Sequence, residues 1–464
     1  MNKIRTLWLL LASSATIFGA PTLEAETFEE ALISVYQSNP RLKAARAQVR
    51  EVDENYIQAR AEGRLNANLS GSYGYATNRA SGEIVPGLPD QTFRREGFPS
   101  AAQVQVIQPL YQGGRVRALK GQAKASILAA REQLRETEQE LLQQSANAYA
   151  NVLRDEEAAR IRRSNVGVLA RQEMAAQLRF DVGTGTKTDI AQAQSRVAAA
   201  EAGLAAAEAQ LQSSRATYIR LVGHIPVALE PIPQFELPPT VEAAIARARN
   251  NNPTLLAATH NREAAKSAID VAKSASKPVV SLNGTLGGQR GQINGLAEGD
   301  EFTVGAQFIM PLFAGGANKS RVRQARHADT RMEFEIRDLE RGLDEGVRQT
   351  WAQLDAAKQA LVSSRLQVQA AEIAFEGVEL EQSVGTRTTL DVLDAEQEVL
   401  NSKLSQIDAE RDVNVATFQL LTVLGVFDAQ GIRLPIDFYN PSENLKAEKN
   451  DNFSKLIKKL SPKK

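Results

Sequence analysis

The residues whose types and spacing could do chemistry gather in two matching segments, Val182-Gly-Thr-Gly-Thr-Lys-Thr-Asp189 and Val384-Gly-Thr-Arg-Thr-Thr-Leu-Asp391. In each, a Thr stands three residues before an Asp at the start of a helical pattern: Thr186 with Asp189, Thr388 with Asp391. That spacing fits a capping box, in which hydroxyl and carboxylate satisfy the first backbone donors of a helix. Capping accounts for Asp189 and Asp391. It does not account for Asp394, one turn further on, whose counterpart in the first segment is Gln192. Nor does it explain Arg387, whose counterpart is Gly185. The plain alternative for Arg387 is a solvated charge in a turn.

Other chemistries find little support. The three histidines, His224, His260 and His327, are far apart in the chain and make a poor metal site. There is no cysteine, which excludes disulfides, thiolate ligands, thiol nucleophiles and a lipid-modified N-terminal cysteine. Lys plus Arg number 55 and Asp plus Glu number 55, so no global basic field exists to hold nucleic acid. The pairs Gly113-Gly114 and Gly315-Gly316 lack the adjacent Lys, Ser or Thr of a phosphate loop. No catalytic residue, metal ligand or cofactor is expected.

The elements that position the two segments come from an internal duplication. Thr27-Phe-Glu-Glu-Ala-Leu and Asn39-Pro-Arg-Leu42 recur as Thr240-Val-Glu-Ala-Ala-Ile and Asn252-Pro-Thr-Leu255. Pro109-Leu-Tyr-Gln-Gly-Gly114 recurs as Pro311-Leu-Phe-Ala-Gly-Gly316, and that register runs ungapped to Gly223 against Gly425. The length difference falls in 76–100 against 289–301, which reads as an exposed loop. The first repeat is assigned to 26–239 and the second to 240–440. Ahead of them, Lys3 and Arg5 precede an apolar run from Leu7 to Phe18, an export signal with cleavage expected after Ala25.

Each repeat opens with a helix, Phe28 to Glu62 and Val241 to Ser276, broken near its Asn-Pro step. The period then changes from 3.6 to 2. Leu65, Ala67, Leu69, Gly71 and Tyr73 alternate with Asn and Ser; Val280, Leu282, Gly284 and Leu286 alternate with Ser281, Asn283 and Thr285. Ala102, Val104 and Val106, and Phe302, Val304, Ala306 and Phe308, mark a second strand in each repeat. Strands of about ten residues with an uncharged polar face fit an outer-membrane barrel, and the alternative is a soluble sandwich. Four strands cannot close a barrel, and an open edge in lipid leaves backbone groups unsatisfied. Spanning strands therefore require several chains to pool them. Pro109 and Pro311 are expected to end the second strands, and the Gly-Gly pairs to turn the chain into a helix.

No proline lies between Leu110 and Ile225 or between Leu312 and Leu434. Within the first run, Arg115 to Asp181 is continuously helical in pattern, about 100 Å at 1.5 Å per residue. The return helix carries a heptad of Ile190, Val197, Leu204, Leu211 and Tyr218 against Ala193, Ala200, Ala207, Ser214 and Leu221. The second copy keeps it, with Gln406 the exception. Large-against-small seams suit coiled coils. The return helix covers half of the outgoing one, and the other repeat's opening helix is expected to cover the remainder.

The duplication, Asn-Pro-x-Leu, Pro-Leu-(Tyr/Phe)-x-Gly-Gly, and Val384-Gly-Thr-Arg-Thr-Thr-Leu-Asp-Val-Leu-Asp-Ala395 resemble the TolC family of outer-membrane efflux channels, in its unlipidated branch. The resemblance covers the mature chain to about 437. It implies a mixed, mainly α fold: a homotrimer whose four strands per chain share a 12-stranded β-barrel, above a periplasmic α-barrel of coiled coils. It implies an exit duct in the cell outer membrane of a Gram-negative bacterium, for efflux of drugs and small molecules or for one-step (type I) protein secretion. The implied partners are outer-membrane lipid, a periplasmic adaptor (membrane-fusion) protein and an inner-membrane pump of RND or ABC type. The resemblance makes Asp391 and Asp394 the carboxylates that constrict the tunnel mouth, and Arg387 with Thr188 and Asp189 a latch. Gln382 stands where a tyrosine often joins that latch. Gly183, Thr184, Gly385 and Thr386 become the adaptor-docking tips, and Pro109, Gly113, Gly114, Pro311, Gly315 and Gly316 the strand-to-helix junctions.

The rival reading is a soluble periplasmic coiled-coil adaptor. It explains the helices and the export signal but neither the alternating strands nor the Pro-Leu-x-x-Gly-Gly junctions. The Lys-rich tail from 441 is expected to be disordered, with Phe453, Leu456, Ile457 and Leu460 at helical spacing as the alternative.

Overall fold

The computed structural model describes residues 25–82, 91–291 and 298–449. The expected export signal, apart from Ala25, and the apolar residues of the tail lie outside the described residues. Both repeats open with a helix broken at Asn-Pro: α1 (Phe28–Ser38) and α2 (Pro40–Ala61), then α5 (Val241–Asn251) and α6 (Pro253–Ser274). Asn39 and Asn252 cap the second helix of each pair, accepting from Arg41 N at 2.9 Å and Leu255 N at 3.1 Å. Proline follows at the first helical position, where no donor is needed.

Strands β1 (Asn66–Tyr73), β4 (Ser100–Gln112), β5 (Val279–Arg290) and β6 (Gly299–Ile309) form one antiparallel sheet in the order β1-β4-β5-β6. The register aligns Leu69, Val104, Leu286 and Phe302 in one row and Asn68, Gln105, Thr285 and Thr303 in the next. Successive rows point to opposite faces, so the sheet has one apolar and one polar side. Among the described residues the apolar side has no cover: Leu69 is 78% and Phe302 76% exposed. Among the described residues β1 and β6 are each paired on one side only.

Two features depart from the sequence reading. The stretch expected to be a loop contains β2 (Ala76–Gly82) and β3 (Gln91–Gly97), which pair with each other. And β4 does not stop at Pro109. It continues to Gln112 through a register shift between Pro109 and Tyr111, a bulge that absorbs the missing N–H. In the second repeat β6 ends at Ile309, ahead of Pro311.

Past the glycine pairs, α3 (Arg115–Asp181) and α7 (Ala317–Ser383) run 67 residues each, and α4 (Lys187–Val222) and α8 (Thr389–Val423) return. Gly113 and Gly114 have φ of 61° and 85°, and a Cβ at Gly113 would fall 2.7 Å from the Lys277 side chain. No helix among the described residues is long and apolar enough to cross a membrane.

The described chain divides into two compact units. One takes the residues up to Ser34, Ser145–Gln234 and Val368–Arg411. In it α4 lies along α3 through the expected seam: Ala193, Leu211, Ser214, Tyr218 and Leu221 are buried, and the Ser214 hydroxyl bonds the Asp155 carboxylate. α8 is buried on a second stripe that the heptad did not anticipate. Leu400 and Ile407 pack on Ala158 and Ile161 of α3, while Lys403 pairs with Glu372 of α7 at 2.7 Å. The chain's start is tied in by the Tyr149 hydroxyl, 3.0 Å from Glu26 O and 2.7 Å from Glu230 O.

The other unit takes Val35–Gln144, Phe235–Gln367 and the described residues from Asp412. Its helical core joins Ala244 and Ala248 of α5, Val347 and Leu354 of α7, and Leu420 of α8. α6 meets α3 as expected, through Thr254 Oγ1 and Glu136 Oε1 at 2.9 Å. Each opening helix also lies along the outgoing helix of its own repeat. Arg115 reaches Glu62 at 3.0 Å, and Arg262 reaches Asp329 at 3.1 Å and Glu333 at 2.5 Å. The tail departs from expectation at its beginning. α9 (Glu443–Lys449) is helical and packs on α2, with Asn444 Nδ2 donating to Asp53 Oδ2 at 3.2 Å.

This unit also holds a titratable anchor. Glu138 of α3 accepts a bond from Ala429 N at 2.8 Å, and Asp428 stands nearby. Burial pushes its carboxyl up from 4.5 to about 7, only partly offset by that bond and by Arg46 and Arg135. A raised carboxyl contributes stability below its unfolded value and loses it as pH rises through its folded value. Stability should therefore fall between pH 5 and pH 8. Glu138→Gln keeps an acceptor for Ala429 and removes the charge. It should flatten that slope and raise stability at pH 8 by on the order of 2 kcal/mol in thermal unfolding.

Candidate functional site

The two turn segments close the helical hairpins α3–α4 and α7–α8. Both reverse through a glycine in the left-handed region, Gly183 at φ 81° and Gly385 at φ 84°. Both return helices begin with the expected capping box. Thr186 N and Oγ1 donate to Asp189 Oδ2 at 2.9 and 2.7 Å, and Asp189 N donates to Thr186 Oγ1 at 3.1 Å. In the second turn Thr388 N and Oγ1 donate to Asp391 Oδ2 at 2.8 and 2.7 Å, and Asp391 N donates to Thr388 Oγ1 at 3.2 Å. The Thr186 hydroxyl and then its N–H hold the Asp189 carboxyl below the usual range. For Asp391 the Thr388 N–H acts first and the hydroxyl second. Both groups are anionic at neutral pH.

The structure does not bring Arg387 to Thr188 and Asp189 within the chain. Arg387 Nε donates instead to Glu381 Oε2 at 2.8 Å, six residues back on the end of its own α7. Glu381 lies directly across the turn, whereas Asp189 Oδ2 already serves as a helix cap. What joins the two hairpins is Arg179, in the last turn of α3. Its NH1 donates to Thr389 Oγ1 at 3.3 Å and its NH2 to Gln382 Oε1 at 3.2 Å, while Gln382 Nε2 approaches Thr389 Oγ1 at 3.4 Å. Gln382 thus takes part in a tie, but to a residue that sequence reasoning passed over.

A second tie lies further along. Arg196 of α4 donates to Asp394 of α8 at 2.6 Å, with side chains 36% and 58% exposed. Below it, Glu396 accepts from Asn165 Nδ2 of α3 at 3.0 Å, and burial raises its carboxyl above the usual range. Sequence reasoning singled out neither Arg179 nor Arg196. Their counterparts in the second repeat are Glu381 and Glu398, of opposite sign, an inversion that other matched positions such as Arg131 and Glu333 share.

The arrangement offers no nucleophile with an adjacent base. It offers two hairpin ends, each locally capped, clasped to one another by guanidinium groups around exposed carboxylates.

Comparison with known proteins places this architecture. A family model described as outer membrane efflux protein matches twice, over residues 32–224 and 244–426, in step with the duplication. Outer membrane efflux protein BepC of Brucella suis biovar 1 is 31% identical over 443 residues, covering 95% of this chain and 94% of that protein. Outer membrane protein TolC of Vibrio cholerae is 27% identical over 425 residues, covering 89% and 94%. Among solved structures, the CmeC outer membrane channel of Campylobacter jejuni superposes with a TM-score of 0.72 at 14% identity, covering 93% of this chain and 91% of that one. At that identity the likeness speaks for the fold.

Proposed function

The chain belongs to the outer membrane efflux protein family, and from that premise we propose that it is the outer-membrane exit duct of an export machine, working as a homotrimer. The observation that carries the pooling of strands between chains is the four-stranded sheet, whose edges at β1 and β6 and whose apolar face are left open among the described residues. Three copies supply twelve strands, within the range of known barrels, and leave no edge in lipid. An unpartnered apolar stripe along α7 supports the same reading: Val362, Leu366, Ile373 and Leu380 are all exposed. Their spacing of four and seven residues is that of a coiled-coil seam awaiting another helix.

The duct serves drugs and other small molecules. A relative 26% identical to this chain is an alkaline protease secretion protein, AprF of Pseudomonas aeruginosa, which favours adding one-step protein secretion. A periplasmic adaptor docks on the hairpin tips at Gly183, Thr184, Gly385 and Thr386, and an inner-membrane pump of RND or ABC type supplies the energy. Each tip reverses through a short glycine turn with an exposed valine beside it, Val182 or Val384, which suits docking by another helical hairpin.

Asp391 and Asp394 line the entrance, where anionic charge draws cations. Arg179 holds the two hairpins of one chain together there. A latch of Arg387 with Thr188 and Asp189 has to form between chains, because within a chain Glu381 takes the guanidinium. The test is reconstitution of the purified protein in planar bilayers. Discrete, cation-preferring conductance steps support a gated duct; a correctly assembled protein that never conducts contradicts it.

A further inference from the structure

The pair between Arg196 and Asp394 alters what the entrance offers a passing ion. Two carboxylates of the second turn stand one helical turn apart on α8, Asp391 and Asp394. Their surroundings differ. Asp391 is bound only by neutral donors of its own turn, Thr388 N and Oγ1. Of the cations near it, Arg387 is itself bonded to Glu381 at 2.8 Å. Asp394 is in a charge-assisted bond of 2.6 Å with a guanidinium from the other hairpin. A pair so close looks nearly neutral to an ion several ångströms away, because the two potentials cancel beyond the pair's own separation. The duplication explains why this occurs once per chain. The position matching Asp394 is Gln192 and that matching Arg196 is Glu398, so the reciprocal pair does not exist.

We propose that Arg196 sets the selectivity of the entrance by holding and neutralising Asp394, which leaves Asp391 as the effective anionic ring. This rests on the reading that both carboxylates line the entrance. Arg196 is a positioning residue: it acts on permeating ions through the charge of its partner. Threefold repetition multiplies the effect, since each substitution changes the charge at one level of the entrance by three.

Planar-bilayer recording of the full trimer tests it, with reversal potential under a KCl gradient and block by hexaamminecobalt(III) added on the helical side. Arg196→Gln frees Asp394. The cation-to-anion permeability ratio should rise about threefold, and the half-blocking concentration should fall on the order of tenfold. Asp394→Asn leaves Arg196 unmatched, and cation preference should drop below that of the unsubstituted protein. Arg196→Gln with Asp394→Asn removes both charges and should return both readouts to within about twofold of the starting values. Conductance steps in each variant certify assembly. If Arg196→Gln changes neither readout while Asp394→Asn alone weakens block, Asp394 was never neutralised and the proposal falls by itself. If Asp391→Asn, Asp394→Asn and Arg196→Gln all leave selectivity and block unchanged, the entrance assignment is overturned and the proposal with it.

Discussion

Arg179→Ala increases the fraction of time that a reconstituted channel spends in its widest conductance state on the order of tenfold. The tie it removes consists of two hydrogen bonds from one guanidinium, to Thr389 Oγ1 and Gln382 Oε1, and it is the polar link between the ends of the two hairpins at their turns. Bonds from a charged donor contribute about 1.5–3 kcal/mol when shielded and less when wet, and this site is only part-buried. A net loss of about 1.4 kcal/mol is a tenfold change in the ratio of closed to open states. Arg179→Lys should fall between, since an ammonium cannot hold both acceptors in the planar fork of the guanidinium. Arg387→Ala is the comparison that separates the two candidate restraints. With an inter-chain latch it also raises conductance, additively with Arg179→Ala. An unchanged conductance in Arg387→Ala contradicts the latch and leaves Arg179 as the restraint. An unchanged conductance in Arg179→Ala contradicts the in-chain clasp.

The second large effect is expected in the sheet. Leu286 sits mid-strand on the apolar face, between Val104 and Phe302. In a bilayer that row lies near the midplane, where an arginine costs about 2–4 kcal/mol in every chain. Leu286→Arg should reduce the assembled protein in the outer membrane by at least about tenfold, measured as heat-modifiable oligomer. The neighbouring Thr285 occupies the polar row with Gln105 and Thr303. Thr285→Arg should assemble to within about twofold of normal and change conductance instead. A soluble sandwich predicts a different outcome, with both substitutions tolerated according to local exposure alone.

Much of this architecture could be read from residue order. The capping boxes at Thr186 and Thr388, the Asn-Pro breaks and the ends of α3 were legible because each depends on neighbours within a few positions. The heptad of α4 was legible because one face of a helix is a periodic signal. The extension β2–β3 was not, since Ala76-Thr-Asn-Arg-Ala-Ser-Gly82 has no apolar alternation to betray a strand solvated on both sides. The second buried stripe of α8 was hidden because Leu393, Glu396 and Leu400 blur a seam that already had a partner. The two arginine ties were hidden for a stronger reason. Whether Arg179 meets Gln382 depends on the registration of two hairpins about 200 residues apart in the chain, which no local pattern encodes.

Fractionation of cells followed by electrophoresis with and without heating tests most directly whether several copies of this chain pool their strands into one membrane barrel. A heat-modifiable trimer in the outer-membrane fraction is the expected result. A soluble monomer in the periplasm contradicts it and favours the coiled-coil adaptor.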